Sequence, residues 1–451
     1  MDLLNRFFAV TVDLVWGWPL LILLVGGGAY LTILSRFLPF FGVRHAYDII
    51  RGKFDDPDDP GEISHFQALA TALSATVGVG NIAGVAVAIT QGGPGAVFWM
   101  WVTAVVGMAT KFFTCTLATM YRKNDENGVP QGGPMYFIEV GLGPRWRWMA
   151  VFFSVCGLVG CLAMFQSNQL AEILKASHGV EPIWTGLVSA VLVAVVVLGG
   201  IQRIGKVTVR LVPVMCVFYI AACAYLILQN LGEVPTVLGR ILHDAFTGTA
   251  ASGGLQGVVV ARVIGTGIKR AAFSNEAGLG TAPMAHGAAK TKEPVREGLV
   301  AMVGPFIDTI VVCSMTAFVI LLSGQGGSKG IEGVALTARA FETVMGAGGR
   351  VFVTVAVTLF AISTMFGYAY YGRKCFTYRF GARWARIYEL FYIVSMVLGA
   401  VWSLDFVINM LDTAFAMMAF PTMIATLMLA PKVMDATRAY FQRYKVLEKR
   451  Y

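Results

Sequence analysis

The sequence predicts an all-α polytopic membrane protein with about eleven transmembrane helices. Of its 451 residues, 57% are hydrophobic and only 14% are charged, whereas soluble domains are about a quarter charged. Apolar runs that approach the roughly 20 residues needed for a helix to cross a bilayer recur along nearly the whole chain. A water-soluble enzyme of one or two domains is therefore excluded, and the lipid bilayer is the expected environment.

Charged residues and Pro/Gly clusters divide the chain into eleven predicted spans. The first is interpreted as a retained helix rather than a signal peptide, because no clear small-residue cleavage site follows it. The seventh contains Lys269, Arg270 and Glu276 and is too long for one uninterrupted helix. The predicted spans are approximately 13–34, 65–91, 95–121, 148–175, 183–202, 208–230, 250–286, 297–322, 351–372, 385–403 and 406–430.

The net charge of +9 is explained by membrane topology. Most of the 35 Lys and Arg residues fall in alternate loops and in the C-terminal tail, and loops rich in positive charge remain in the cytoplasm. We therefore expect the N-terminus outside, the tail from Lys432 inside, and no binding of nucleic acid. The seven cysteines lie mostly in apolar runs without CxxC spacing, which predicts buried thiols rather than disulfides or metal ligands.

Span 2 carries glycines, hydroxyls and an amide near the middle of the predicted membrane. Glycine costs about 1 kcal/mol relative to alanine inside a helix, so the backbone around Gly78 and Gly80 is a candidate for unwinding. Unwound backbone at that depth occurs where it lines a cavity or meets a ligand. Free N–H groups attract a carboxylate, and free carbonyl groups attract a cation. The alternative is that the glycines form a close-packed helix face.

A second break is predicted within 262–280 of span 7. The pattern of residues 263–268 echoes that of 77–80, and the polar stretch 273–278 follows closely. When span 1 is left out, the two breaks fall in the first and the sixth of ten spans, as in two inverted five-helix repeats with a binding site between them. The corresponding segments are an N-terminal helix with its loop (1–63), two repeats (64–231 and 232–430) and a basic tail (431–451).

Neutral polar residues form two further groups inside predicted spans. Ser363 and Thr364 supply adjacent hydroxyl oxygens, the ligand type that sodium prefers, although each could instead bond to a carbonyl one turn earlier. Gln166, Asn168 and Gln169 in span 4 either line a cavity or join two helices. Both interpretations remain open for each group.

Charged residues inside predicted spans are functional candidates by default. Lys111 and Asp308 could touch a transport pathway, and a structural partner or snorkelling is the alternative for Lys111. Glu276 could pair with Lys269 or Arg270 as a gate, or it could cap a half-helix. Two acids near the start of span 11 are predicted to be interfacial, namely Asp405 and Asp412.

Four motifs resemble those of the alanine or glycine:cation symporter family. They occupy residues 92–107, 80–84, 132–136 and 274–280, and the resemblance covers about 64–430. It implies a bacterial inner-membrane protein that couples uptake of a small neutral amino acid to sodium, or less often to protons. The implied fold is the inverted repeat shared with the neurotransmitter:sodium symporters. Sodium is the implied coupling ion, and no other cofactor, enzymatic activity or obligate protein partner is implied.

The resemblance also implies roles for individual residues. The amides around Gly78, Val79 and Gly80 would hold the substrate carboxylate. The side-chain and amino-group end of the pocket would be formed by Gln166, Phe273 and Tyr368. The sodium site would comprise Ser74, Val77, Phe360, Ser363 and Thr364. A second sodium, as in some relatives, would lie at Thr76 and Asn81.

Three positions depart from the family pattern, in which threonine often replaces Val79, an acid replaces Thr114 and tryptophan replaces Tyr368. A channel is the first rival to a symporter, because glycine-rich carbonyl segments also build selectivity filters. Filters usually arise by symmetry among several subunits, however. A membrane enzyme is disfavoured because the five His residues include no HExxH motif and no nucleophile–base pair.

Overall fold

The computed structural model describes residues 2–126, 128–247, 256–327, 331 and 333–444. Helices account for nearly all of them, and two short antiparallel strands, β1 (Lys123–Asn124) and β2 (Pro130–Gln131), pair Lys123 with Gln131. The helices that build the fold are α1 (Asp2–Val15), α2 (Trp18–Leu34), α3 (Val43–Ile50), α4 (His65–Thr76), α5 (Gly80–Gly92), α6 (Gly95–Met120), α7 (Arg147–Gly160), α8 (Met164–His178), α9 (Pro182–Val197), α10 (Gly200–Gln229), α11 (Val234–Thr247), α12 (Gln256–Asn275), α13 (Ala282–His286), α14 (Pro294–Leu322), α15 (Gly333–Met345), α16 (Ala347–Phe380), α17 (Ala385–Val401) and α18 (Leu404–Tyr444).

Within the described ranges, seven helical segments are long and apolar enough to cross a membrane. Two bent pairs, α1 with α2 and α4 with α5, raise the number to nine. These nine coincide with nine of the eleven predicted spans. The other two predicted spans correspond to the 16-residue α9 and to the charged α12, which do not meet the same criteria, so the count of eleven remains a prediction. Residues 250–255 of predicted span 7 and the tail beyond Tyr444 lie outside the described residues.

Large apolar side chains cover the outer faces of several helices. On α9, Val188, Val191 and Val195 are each more than half exposed, and on α17 the same holds for Leu390 and Phe391. Patches of this kind on a monomeric protein mark a membrane or protein contact. Together with the spanning helices, they identify a multi-pass membrane protein.

Helix α4 is well defined at its start and interrupted at its end. Ser64 and Gln67 form a reciprocal capping box at the first turn, which satisfies two backbone N–H groups that the helix leaves unpaired. After Thr76 the chain leaves helical geometry, and α5 resumes at Gly80 at an angle of 49° to α4. The predicted break in span 2 is therefore present.

A further interruption, at residues 161–163 between α7 and α8, lies where the sequence analysis predicted one continuous span. Glycines allow close packing on either side of it. Gly160 lies against Phe415 and Met418 of α18, and Gly399 of α17 lies against the backbone of Met164. The interruption places Phe165 and Gln166 in the first turn of α8.

At one end of the bundle, the segments before α4 and after α13 are joined. Ile63 and Ala289 form a parallel bridge, and the buried Glu297 of α14 accepts hydrogen bonds from Nδ1 of His65 and from Nδ1 of His286, the latter at 2.6 Å. Arg122 donates to the Ala289 carbonyl at 2.9 Å. The outer ends of the two interrupted helices are thus held to each other and to α14.

We predict that Gly298→Ala destabilises the protein. A methyl group there would lie 2.0 Å from Thr116 Oγ1 and 2.6 Å from the Phe112 carbonyl oxygen, and overpacking of this kind costs about 1–3 kcal/mol. The melting temperature in detergent should therefore fall. Gly239→Ala is the matched control, because nothing lies within 4 Å of its added methyl group. Equal melting temperatures for the two variants would contradict the packing described here.

Candidate functional site

The first break, between α4 and α5, is closed by the side chain of Asn81. The Gly78 N–H donates to Asn81 Oδ1 at 2.8 Å, and the Asn81 N–H donates to the Gly78 carbonyl at 3.1 Å. The Asn81 side chain thus reaches back to an N–H group that precedes the helix, as the third residue of a helix does in a capping box. The Val79 N–H makes no hydrogen bond to any residue in the described part of the chain. One buried, unpaired donor is thus present at this break.

The second break lies at residues 276–281, between α12 and α13. Glu276, Gly278 and Gly280 have φ of 55°, 86° and 92°, a left-handed geometry that glycine adopts readily and glutamate does not. The predicted region of 262–280 therefore does contain a break. Residues 263–268, which echo 77–80 in sequence, remain helical. Gly267 serves close packing there, since a methyl group added to it would lie 2.5 Å from the Ala96 carbonyl oxygen.

The start of α5 lies close to the end of α12, which precedes the second break. A methyl group added at Gly80 would lie 3.6 Å from the Phe273 ring and 3.8 Å from the Ser274 Cα. Asn81 and Ser274 also share Asp308 of α14 as a hydrogen-bond acceptor. That the two interruptions themselves face each other stays a prediction.

Asp308 is fully buried and accepts three side-chain hydrogen bonds. The donors are Asn81 Nδ2 at 2.6 Å, Thr309 Oγ1 at 2.7 Å and Ser274 Oγ at 2.9 Å. These three donors come from α5, α12 and α14 itself. Asp308 therefore joins the start of α5 to the end of α12.

Two of the residues proposed for the first sodium site, Thr364 and Phe360, lie beside Gly78. Ser363 and Thr364 hydroxyls both donate to the Phe360 carbonyl at 2.9 Å, so the back-bonding alternative is realised. The same bonds hold three oxygen atoms together, and a methyl at Gly78 would lie 2.1 Å from Thr364 Oγ1. Helix α16 therefore presents these oxygens to the first break.

The remaining hydroxyls assigned by resemblance to cation sites also bond within their own helix. Ser74 donates to the Thr71 carbonyl at 2.7 Å, and Thr76 donates to the Ala72 carbonyl at 3.2 Å. Both side chains are buried. A hydroxyl that donates in this way keeps its lone pairs available as a ligand.

Aromatic rings cover the breaks on one side. Phe273 packs edge to face on Phe165 and on Phe415, with ring centroids 5.2 and 5.5 Å apart. Tyr368 packs edge to face on Phe415 at 6.3 Å. Of the predicted pocket residues, Phe273 and Tyr368 are therefore brought together through Phe415.

Two buried oxygen atoms in this region make no hydrogen bond of ordinary geometry to the described residues. They are Oε1 of Gln166 and Oε1 of Glu276, and the Tyr368 hydroxyl faces the Glu276 carboxyl. The neighbouring amides are occupied otherwise: Asn168 donates to the Gly399 and Trp402 carbonyls at 3.0 and 2.8 Å, and Gln169 accepts from the Val334 N–H at 3.2 Å. Asn168 and Gln169 thus join helices, whereas Gln166 keeps a free acceptor.

The charged residues of α12 pair with Asp412, not with Glu276. Lys269 Nζ and Arg270 Nη2 lie 2.8 and 2.5 Å from Asp412 Oδ2, and Trp16 of α1–α2 donates to the Asp412 carbonyl at 2.9 Å. Glu276 instead accepts from Thr281 Oγ1 at 2.5 Å. The predicted gate pair is therefore wrong in its partner, and Asp412 is fully buried rather than interfacial.

This charged cluster lies one helical turn from the aromatic contact. Arg270 precedes Phe273 by three residues on α12, and Asp412 precedes Phe415 by three residues on α18. The Arg270 guanidinium also lies 5.4 Å from the centre of the Phe273 ring. A charged layer and an aromatic layer thus close the same side of the two breaks.

Comparison with known proteins decides the family. The family model described as "Sodium:alanine symporter family" matches residues 1–450. The chain belongs to the sodium:alanine symporter family. It is 44% identical over 434 residues to "Sodium/alanine symporter AgcS" of Methanococcus maripaludis, covering 94% of this chain and 95% of that protein.

Two further relatives match nearly the whole chain. The chain is 41% identical over 435 residues to an uncharacterized transporter of Haemophilus influenzae, covering 96% of this chain and 95% of that protein. It is 32% identical over 448 residues to "Probable sodium/glutamine symporter GlnT" of Bacillus subtilis, covering 98% and 93%. The protein is therefore a cation-coupled amino-acid symporter and not an enzyme.

Solved structures of distant sequence share the fold. The structure of MhsT with L-phenylalanine has a TM-score of 0.54 at 14% identity, covering 84% of this chain and 99% of that one. A sodium-coupled sialic acid symporter has a TM-score of 0.53 at 12% identity, covering 92% and 98%. The expected relation in fold to other sodium symporters is thus supported for the overall architecture.

Sequence reasoning did not assign several residues that the structure places at the breaks. Asp308 and Glu276 were noted as intramembrane acids, which was a usable signal, but their partners were not foreseen. No sequence feature marked Phe165 or Phe415 as a site residue, because an aromatic residue in an apolar helix is ordinarily a packing residue.

We predict that Asp412→Asn opens the closed side. Without that charge Lys269 and Arg270 repel each other, and losing one partner of a buried pair costs about 3–5 kcal/mol. The thiol of Cys313, 2% exposed and 3.2 Å from Ser274 Oγ, should then react more than about tenfold faster with a small thiol reagent. Peptide mass spectrometry on the detergent-solubilised protein measures this rate.

Glu342→Gln is the matched control for this measurement. It breaks an ion pair with Arg350 at 2.8 Å, but that pair is exposed, and such pairs contribute about 0–1 kcal/mol. Unchanged Cys313 reactivity in Asp412→Asn would show that the Asp412 cluster does not hold this side closed.

Proposed function

We propose that the protein imports a small neutral amino acid, alanine or glycine, together with sodium, by alternating access at the two breaks. The observation that carries this proposal is the meeting of interrupted backbone with a hydroxyl cluster: Gly78 lies directly against Thr364 and Phe360, and Gly80 lies against Phe273 and Ser274. Interrupted backbone inside the bilayer occurs where it is buried in protein or lines a cavity, so the groups left unpaired here are candidates for binding a ligand.

Backbone N–H groups of the first break would bind the substrate carboxylate. The Val79 N–H has no acceptor in the described structure, and the Gly78 N–H is held by Asn81, which a carboxylate could displace. The amide of Gly80 would complete the set. Backbone donors suit this task because they are fixed in position and at the positive end of a helix.

Acceptors for the substrate ammonium group are the two unpaired oxygens, Gln166 Oε1 and Glu276 Oε1. Each is buried, and a buried acceptor without a donor is costly, so a bound ammonium would relieve both. Phe273 and Tyr368 would then enclose the side chain. The rings of Phe165 and Phe415 pack against Phe273 and would limit the size of that side chain, which favours alanine or glycine over glutamine.

Sodium would bind at Ser74, Val77, Phe360, Ser363 and Thr364, through hydroxyl and carbonyl oxygens. These are hard neutral ligands, which suit sodium. A second cation would lie at Asn81 and Thr76, close to the Asp308 carboxylate that bonds Asn81 at 2.6 Å. Relatives that are named for sodium and alanine support the choice of ion and substrate.

The rest of the architecture would follow the inverted repeat. In this proposal α1–α2 form the extra N-terminal helix, and residues 64–231 and 232–430 form two five-helix repeats with α4–α5 and α12–α13 as the interrupted helices. The N-terminus lies outside and the basic tail in the cytoplasm of a bacterial inner membrane. Alternating access then consists of one bundle rocking against the other about the breaks.

We predict that Gly78→Ala lowers the initial rate of alanine uptake about tenfold or more, because the added methyl group overlaps Thr364 Oγ1 and overpacking costs about 1–3 kcal/mol. Gly84→Ala in the adjoining helix α5 is the control, since nothing lies within 4 Å of a methyl group added there. Uptake of labelled alanine and glycine is measured in proteoliposomes, with sodium and proton gradients imposed separately. Uptake by the wild type driven only by protons, or by neither gradient, would contradict the proposal.

We predict that Thr364→Val raises the sodium concentration that gives half-maximal uptake, because it removes one ion ligand while keeping the volume of the side chain. Thr364→Ser should restore it. Thr358→Val is the matched control: its hydroxyl makes the same type of bond, to the Thr354 carbonyl at 2.7 Å, but it lies outside the proposed site. Equal sodium dependence in Thr364→Val and Thr358→Val would mean that the Thr364 hydroxyl serves only its own helix.

A further inference from the structure

A polar cavity of about 200 Å³ lies at the end of the bundle where the Glu62 N–H donates to the Ala288 carbonyl. Its volume is well above the about 10–15 Å³ that one water molecule needs. The segment before α4, the β1–β2 hairpin, the start of α10 and the end of α16 line it. No residue of 77–81 or 276–281 does so, so this cavity is separate from the two breaks.

Arg373 and Lys374 of α16 supply positive charge to the cavity. Lys374 is 4% exposed, and its Nζ donates to Gln131 Oε1. Arg373 donates through Nη1 to Glu389 Oε1 at 2.7 Å. Because a guanidinium has five N–H groups and an ammonium has three, both cations keep donors that these bonds do not use.

Glu62 supplies a carboxylate to the same cavity. Its Oε1 lies 3.9 Å from Lys374 Nζ, which is an ion pair but is beyond the distance of a hydrogen bond. The Glu62 side chain is 19% exposed. Its carboxylate can therefore accept hydrogen bonds from an ammonium group that enters the cavity.

Tyr370 adds an unpaired hydroxyl to the cavity wall. It is 5% exposed, and its hydroxyl makes no hydrogen bond to any residue in the described part of the chain. The centre of its ring lies 5.0 Å from Lys374 Nζ. A buried hydroxyl without a partner is costly, so a ligand that accepts a hydrogen bond from Tyr370 would remove that cost.

We propose that this cavity binds the zwitterion of a small amino acid as a second site that does not need sodium. The carboxylate would accept hydrogen bonds from Arg373, Lys374 and Tyr370. The ammonium group would donate to Glu62. Fixed side chains supply both charges, so no cation has to bind with the ligand. That the zwitterion is an amino acid like alanine rests on the proposed function.

The position of the cavity suits an exit site for the transported substrate. Tyr370 follows Thr364 by six residues on α16, which is about 9 Å along a helix that rises about 1.5 Å per residue. In the proposed orientation this end of the bundle faces the cytoplasm. An amino acid released from the breaks toward the cytoplasm would therefore meet this site before it leaves the protein.

Thr377→Cys places a thiol in the cavity wall and reports whether the cavity is occupied. Its reaction with a small methanethiosulfonate reagent, in detergent and without sodium, should slow about tenfold when alanine is present at about ten times its dissociation constant. Propionate and alaninamide each carry only one of the two charges and should protect far less. Peptide mass spectrometry measures the rate. Thr343→Cys, which is exposed and outside the cavity, is the control and should react equally fast with and without alanine.

Two further variants, each combined with Thr377→Cys, test the assigned contacts. Tyr370→Phe should raise the alanine concentration that gives half protection at least about tenfold, as expected when a hydrogen bond to a charged group is lost. Tyr371→Phe is the matched control, because its hydroxyl is also buried and unpaired within the described ranges but does not line the cavity. Glu62→Gln should make alanine protect no better than propionate.

Three results would overturn the inference. They are protection that requires sodium or is abolished by Thr364→Val, equal protection by alanine and propionate in the parent protein, and equal effects of Tyr370→Phe and Tyr371→Phe. The first would mean that alanine acts from the breaks and not from the cavity. Absence of sodium-driven alanine uptake would instead refute the proposed function, and it would leave the sodium-free protection of Thr377→Cys unaffected.

Discussion

The structure depends on one constraint: a helix that gives up its backbone hydrogen bonds inside a bilayer must replace them. Water is not available there, so each freed N–H or carbonyl group needs a protein partner or a ligand. At the first break, Asn81 replaces one bond by reaching back to Gly78. At the second, Asn275 Oδ1 accepts from the Ala277 N–H at 3.0 Å. The side chains at both breaks supply these replacement bonds, and the backbone groups that remain unpaired are available to bind a ligand.

The same constraint explains how buried charge is distributed. On the closed side, Asp412 meets Lys269 and Arg270 in direct ion pairs, which suits a contact that locks two helices together. Behind the breaks, Asp308 is bonded to neutral donors, namely Asn81, Ser274 and Thr309.

Much of this was predictable from sequence where the chemistry is local. Glycines beside an Asn in an apolar span predicted the break at Gly78, and hydropathy predicted most spans. The remaining features depend on contacts between distant parts of the chain. Gly267 resembles Gly80 in its local pattern but lies against the Ala96 backbone and stays helical, since a glycine can serve close packing as well as unwinding. The Asp412 pairing joins residues more than 140 positions apart, and no local pattern records such a contact.

The most direct measurement is an experimental structure in the presence of sodium and alanine, with thallium as an anomalous substitute for sodium. We expect the amino acid between residues 77–80 and 276–281, its carboxylate accepting from the Val79 N–H and a cation bound to the Thr364 hydroxyl. Alanine bound elsewhere, with both segments closed into continuous helix, would contradict this mechanism.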